Sequence, residues 1–187
     1  MIRAFIAVTA PIALHETLEE VRAVFQQLPI PFRWVKSSQL HLTLKFLGQV
    51  PEESLPAIAQ AMQHAAAHLV PCTLTARALG CFPHPSRPRV LWMGLDDPQH
   101  ALGQLHQRLE SALTTRGFPA QEKPLRPHLT VARIRQPSPC RQLPPLLQTY
   151  QDRYFGEMPV DTVHLFQSQL HRTGAVHTIL RSVALQR

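Results

Sequence analysis

The chain has 187 residues, 44% of them hydrophobic, with 19 Lys and Arg against 12 Asp and Glu for a formal charge of +7. That composition excludes wholesale disorder and supplies enough apolar surface for a packed core. No run approaches the roughly 20 apolar residues that span a bilayer. The opening Met1-Ile2-Arg3-Ala4-Phe5-Ile6-Ala7-Val8 is too short and wrongly flanked for a secretory signal. The three cysteines, Cys72, Cys81 and Cys140, give neither a disulfide framework nor a metal-type spacing, which points to a reducing cytosol. All but three of the cations are arginine, the planar fork suited to phosphate, and they are spread over both halves rather than gathered in a tail. A solvated basic surface and attraction to a polyanion both fit that distribution.

Residues 3–8 read as a buried strand. Residues 11–28 read as a helix with Pro11 in its first turn and Leu14, Leu18, Val21, Phe25 and Leu28 on one face. Residues 40–46 alternate as a strand, and Gly48 with Pro51 predicts a turn. Residues 54–69 predict an alanine-rich helix. Strands are expected near 72–79 and 89–95, around a proline-rich loop. A helix over 98–116 aligns Leu102, Leu105, Leu109 and Leu113 and is closed by Gly117. Residues 127–133 form a strand, and 135–147 a proline-broken loop with a short helical turn. Residues 155–170 are extended with a break near Pro159, His171-Arg172-Thr173-Gly174 predicts a hairpin turn, and 176–185 the return strand. Few helices and many strands in mixed order define an α+β chain with mostly antiparallel sheets.

One internal repeat carries chemistry. His41-Leu42-Thr43-Leu44 and His128-Leu129-Thr130-Val131 share the pattern His-x-Thr-x and lie 87 residues apart, near half the chain. Each sits in a predicted strand, where successive side chains point to opposite faces. Leu40, Leu42, Leu44 and Phe46 then share an apolar face, while His41, Thr43 and Lys45 share the other. In the second copy Leu129 and Val131 face inward and His128 and Thr130 outward. Two such strands side by side bring two imidazoles and two hydroxyls together, suggesting two related halves across a pseudo-dyad. The set suits phosphodiester chemistry. A neutral imidazole takes a proton from a nucleophile, an imidazolium gives one to a leaving oxygen, and threonine hydroxyls donate to phosphate oxygens. No acidic cluster with metal-ligand spacing accompanies the histidines, so neither a metal nor another cofactor is required.

These residues resemble the two-histidine phosphoesterase superfamily, and within it the bacterial and archaeal RNA 2′,3′-cyclic phosphodiesterases, historically called 2′-5′ RNA ligases. The resemblance runs through Arg3-Ala4-Phe5-Ile6-Ala7, through Trp34-Val35-Lys36 leading into His41-Leu42-Thr43-Leu44-Lys45-Phe46-Leu47-Gly48, and through Pro88-Arg89-Val90-Leu91-Trp92-Met93-Gly94. It continues in Arg126-Pro127-His128-Leu129-Thr130-Val131-Ala132-Arg133 and Val163-His164-Leu165-Phe166-Gln167-Ser168. It implies one domain over 1–187, built as two pseudo-symmetric lobes whose mainly antiparallel sheets and flanking helices frame a central cleft. It implies hydrolysis of RNA ending in a 2′,3′-cyclic phosphate to a 2′-phosphate by a cytoplasmic enzyme, expected to be monomeric. By the same resemblance His41 is the proton donor to ribose O3′, His128 the proton acceptor from water, and Thr43 and Thr130 hold the phosphate. The reverse ligation exchanges the two histidine roles, and the sequence leaves that assignment open. His177 stands where relatives often carry an aromatic residue.

Arg133 is the candidate for a further phosphate contact, although on a regular strand it shares a face with Leu129 and Val131, away from His128; a bulge would redirect it. Arg126, extended before Pro127, is a rim candidate. Lys45 reads as a cleft-wall charge. Phe5, Trp34 and Trp92 fit either a core or a base-stacking role. His64 and His68 are four apart on a predicted helix but lack a third ligand. There is no glycine-rich phosphate loop. Other substrates of the same superfamily (cyclic nucleotides, ADP-ribose cyclic phosphate, 2′-5′ oligoadenylate) and a non-catalytic RNA-binding module are the competing readings.

Overall fold

The computed structural model describes residues 1–136, 139–171 and 174–186. Strand β1 (Ile2–Thr9) leads into α1 (Ile12–Phe25), the short β2 (Phe32–Trp34), β3 (His41–Val50) and α2 (Leu55–Ala66). Then come β4 (Cys72–Phe82), β5 (Val90–Asp96), α3 (Ala101–Thr114), β6 (His128–Ile134) and α4 (Leu143–Thr149). Strands β7 (Tyr154–Val160), β8 (Thr162–His171) and β9 (Gly174–Ala184) close the chain. Local chemistry sets these limits. The carboxylate of Asp97 accepts the backbone N–H groups of Ala101 and Gly103 at the start of α3. Gly117, at φ +85, lies just past its end. Among the described residues no helix is long and apolar enough to cross a membrane.

The strands pair antiparallel in the order β7-β4-β5-β6-β3-β1-β8-β9, with β2 added alongside β6. The two antiparallel sheets expected from the sequence are thus two runs of four strands, joined where β3 meets β6 through the pair Leu42 and Leu129. One sheet face carries the helices and the main core. Leu14, Leu18, Val21 and Phe25 of α1, Ile58 and Met62 of α2, and Leu102, Leu105 and Leu109 of α3 are buried there against Ile6, Leu42, Leu74, Met93 and Leu129.

The helices cross between the runs. Helix α1, which connects β1 to β3, packs on the far edge: Leu14 lies against Gly156 of β7, and Thr17 donates to the carbonyl of Phe155. Helix α3, which connects β5 to β6, instead reaches β3 through Glu110 and packs against α2. Each half of the sheet is therefore backed by a helix from the other half's connection.

Three local expectations are corrected. Strand β3 runs on through Gly48 to Val50, because Gly48 takes φ +72 inside the strand and no turn forms before Pro51. Helix α2 ends at Ala66, and His68 adopts φ 62 beyond it, so His64 and His68 do not share a helix face. The break after β7 falls at Asp161; Pro159 sits within β7, a sheet edge, where a missing N–H is tolerated. Strand β2 was not expected at all. Of the anticipated hairpin turn, Arg172 and Thr173 lie outside the described residues, as does Pro137 of the proline-rich loop; His171 pairs with Gly174.

Candidate active site

The two His-x-Thr-x segments are adjacent strands. With Leu42 opposite Leu129, one step either way along an antiparallel pair sets His41 against Thr130 and Thr43 against His128. Leu42, Leu44, Leu129 and Val131 are buried on the helix side, while the two histidines and two threonines are partly exposed on the other face. The histidines thus occupy one diagonal of a four-residue square and the threonines the other. Diagonal cross-strand neighbours stand about 7–8 Å apart.

Both imidazoles are oriented by the same device. Nδ1 of His41 lies 2.7 Å from the carbonyl oxygen of Gln39, and Nδ1 of His128 lies 2.7 Å from that of Arg126. A carbonyl only accepts, so each Nδ1 carries the proton and each Nε2 is the nitrogen left for proton transfer. Arg126 is exposed and enters the site through its main-chain oxygen.

Each ring is also backed by aromatic residues. Phe5 sits 5.0 Å from His41, centroid to centroid, and stacks on Phe166 at 5.1 Å. Phe5, Ala7 and Phe166 form a small second core on the cleft side of the sheet, which settles Phe5 as floor rather than surface. His177 meets His41 edge-on at 5.4 Å, and Phe82 meets His128 edge-on at 5.2 Å. Trp92 rests on Phe82, while Trp34 packs with Phe32 against the main core.

A shared irregularity sets the side-chain phase beyond each motif. Ile6 and Ala7 of β1 pair with Lys45 and Thr43, leaving Leu44 as an extra residue. Leu91 and Trp92 of β5 pair with Ala132 and Thr130, leaving Val131 extra. Each copy thus has a bulge at its fourth residue, and the phase of the two residues after it reverses. Arg133 is turned onto the face of His128 and Thr130, as the bulge alternative required. Lys45 goes the opposite way: expected on the cleft wall, it lies 3% exposed on the helix side. There its ammonium donates to both carboxylate oxygens of Glu110 at 2.7 Å and to the carbonyl of Pro119 at 2.8 Å, using all three protons. Phe46, expected inward, is turned out and 65% exposed.

The field of the site opposes extra positive charge. His41 titrates below its ordinary value, chiefly because it is buried, with Arg133 and His128 adding to the effect against the Gln39 hydrogen bond. His177 is pushed down to about 4 by burial, by His41 and by Arg133. The guanidinium of Arg133 is therefore close enough to act on both rings. Among the described residues no three His, Cys, Asp or Glu side chains are grouped as a metal centre would need.

Sequence alone gives Phe82, Phe166 and Arg33 no place in the cleft, and marks His177 only as a departure from relatives. No signal at those positions marks them, since sheet pairing brings them in.

The α+β fold with a curled antiparallel sheet is that of E. coli LigT, whose crystal structure with 3′-AMP has a TM-score of 0.78 to this chain at 28% identity, covering 100% of this chain and 99% of that one. Residues 10–172 match the 2′-5′ RNA ligase superfamily, and the chain belongs to that family. A protein of Thermus thermophilus named RNA 2′,3′-cyclic phosphodiesterase is 37% identical over 181 residues, covering 90% of this chain and 86% of the relative. One of the same name from Aeropyrum pernix is 31% identical over 166 residues, covering 89% and 93%.

Proposed function

We propose that this chain is an RNA 2′,3′-cyclic phosphodiesterase that opens the terminal ring to leave a 2′-phosphate. The observation that carries the reading is the matched pair of imidazoles, each fixed through Nδ1 to the carbonyl two residues upstream, facing one another diagonally across adjacent strands. Relatives named for this activity along nearly the whole chain support it, as does a structural neighbour solved with a ribose 3′-phosphate, 3′-AMP.

In this mechanism Nε2 of His128 takes a proton from water as the water oxygen attacks phosphorus. Nε2 of His41 gives its proton to O3′ as the P–O3′ bond breaks, so a 3′-hydroxyl and a 2′-phosphate result. Attacking and leaving oxygens must lie on opposite sides of phosphorus, and the diagonal supplies a proton acceptor and a proton donor there. The hydroxyls of Thr43 and Thr130 and the guanidinium of Arg133 donate to the non-bridging oxygens, where charge builds. Burial and Arg133 disfavour the His41 imidazolium in the free protein. The anionic substrate opposes that bias and favours the charged ring where its proton is needed. A 5′-hydroxyl replacing water in the same geometry forms a 2′-5′ linkage, with the histidine roles exchanged in the reverse direction. Residues 1–187 act as one unit of two lobes, without a second subunit, and the three free, buried cysteines suit a reducing cytoplasm.

The test is product analysis by phosphorus NMR on an oligoribonucleotide ending in a 2′,3′-cyclic phosphate. A 2′-phosphate formed in the presence of EDTA is expected. An intact ring, or a 3′-phosphate product, overturns the reading.

A further inference from the structure

Strand β2 lies on β6 with Arg33 opposite Arg133. Their flanking residues fix the face. Phe32 and Trp34 pair with Ile134 and Ala132, and all four pack into the helix-side core. Alternation then puts both guanidinium groups on the cleft face, side by side, beyond the His128 and Thr130 pair. Like charges directly opposite on neighbouring strands repel. Among the described residues neither arginine has a carboxylate partner; the ion pairs there use Arg22, Arg77 and Arg153 with Lys45 and His106.

The surroundings extend the cleft past this pair. The β8–β9 hairpin projects over it: Gln39 Nε2, in the segment that orients His41, donates to the carbonyl of Ala175 at 3.0 Å. Next to Ala175, Gly174 leaves room for Arg33, since a Cβ there would stand 3.2 Å from Arg33 Nη2. A wall thus runs from His41 past His177 to Arg33. Arg133 acts electrostatically on both His41 and His177.

We propose that Arg33, paired with Arg133, forms a second phosphate subsite that grips the phosphodiester joining the terminal nucleotide to the rest of the RNA. The inference rests on the cyclic-phosphate reading above and adds to it the feature that separates an RNA end from a free cyclic mononucleotide. With Arg133 on the reacting phosphate and Arg33 on the neighbouring linkage, the two bound anions offset the repulsion between the forks, so binding gains from both the new contacts and the relieved pair.

The experiment measures binding, so it does not depend on turnover. Affinities are compared by calorimetry for cytidine 2′-phosphate and for the dinucleotide carrying the same terminal phosphate, with its linkage either a natural phosphodiester or a neutral methylphosphonate. The natural dinucleotide is expected to bind about ten- to a hundredfold tighter than the methylphosphonate form, the range for a hydrogen bond to a charged group. In Arg33→Gln that ratio collapses towards one, and in Arg33→Lys, which keeps the charge without the fork, it is intermediate. Equal affinity of the two dinucleotides for the wild-type chain overturns the inference without any variant. A ratio unchanged in Arg33→Gln overturns it as well. If the ring of no substrate is opened but the ratio behaves as stated, the catalytic reading fails and the subsite stands.

Discussion

Phe46 and Arg133 stand at the same place in the two copies of the motif. Each lies three residues past the threonine, behind a bulge at Leu44 or Val131, and each is turned onto the cleft face by it. Their predecessors, Lys45 and Ala132, are turned inward and buried. The antiparallel pairing of β3 and β6 thus presents a phenylalanine at one side of the histidines and an arginine at the other. The repeat keeps its geometry while the chemistry at this position diverges.

Removing either imidazole should slow the chemistry by orders of magnitude while sparing the fold. His41→Ala and His128→Ala each lose one proton transfer, a factor of about 10²–10⁴ in turnover. Their only described side-chain hydrogen bonds go to nearby carbonyls, so thermal unfolding should change little. Single-turnover rates check this, and near-normal turnover in either variant removes that histidine from the mechanism.

The charge of Arg133 can be read at His41. Burial is the larger cause of the lowered value, and the guanidinium adds to it. In Arg133→Gln the His41 titration, followed by NMR, should move to higher pH, and the part of the kcat/KM profile that reports His41 should move with it while kcat/KM falls. A titration curve that stays where it was would place Arg133 away from His41.

Acid should weaken the fold through the same cluster. His177 titrates at about 4 when folded, against an ordinary 6.5, because burial, His41 and Arg133 all oppose its charge. Between those values the unfolded chain binds a proton that the folded chain refuses. Stability is therefore intact above pH 6.5, falls as the pH is lowered towards 4, and levels off below. His41, His106 and His164, all lowered first by burial, act in the same direction. Urea midpoints across this range should fall less steeply in His177→Phe than in wild type; parallel curves would count against the assignment.

Lys45 and Glu110 are coupled in the core. Glu110→Ala strands an ammonium that is 3% exposed, a loss of about 3–5 kcal/mol by urea unfolding. The double variant Lys45→Met with Glu110→Leu should lose less than Glu110→Ala alone, because no charge is left without its partner. Additive losses would mean the pair is not coupled.

Gly80 supports His128 at a distance. A Cβ there would run into the indole of Trp92, which packs on Phe82, the residue against the His128 ring. Gly80→Ala should cost about 1–3 kcal/mol, the range for overpacking, and lower kcat more than it raises KM. An unchanged kcat would uncouple this stack from the histidine.

Much of the molecule was legible in the chain. The alternation around His41 and His128 marked both strands, put the leucines inward, and placed two imidazoles and two hydroxyls on one surface, because side-chain period is a property of local backbone geometry. Apolar spacing likewise located the helices, since a helix must bury its stripe. The part that the tertiary structure alone decided lies past each threonine. A bulge exists only relative to a neighbouring strand, so nothing in Leu44-Lys45-Phe46 reveals that the lysine turns inward to Glu110 and the phenylalanine outward. Strand β2 is three residues long and has no periodicity to detect. Its arginine joins the cleft only because β6, beyond its short contact with β3, leaves residues 132–134 open on that side, and Phe82, Phe166 and His177 reach the histidines through pairings distant in sequence. Local pattern determined which groups are present and which way they start out; long-range hydrogen bonding determined which of them meet.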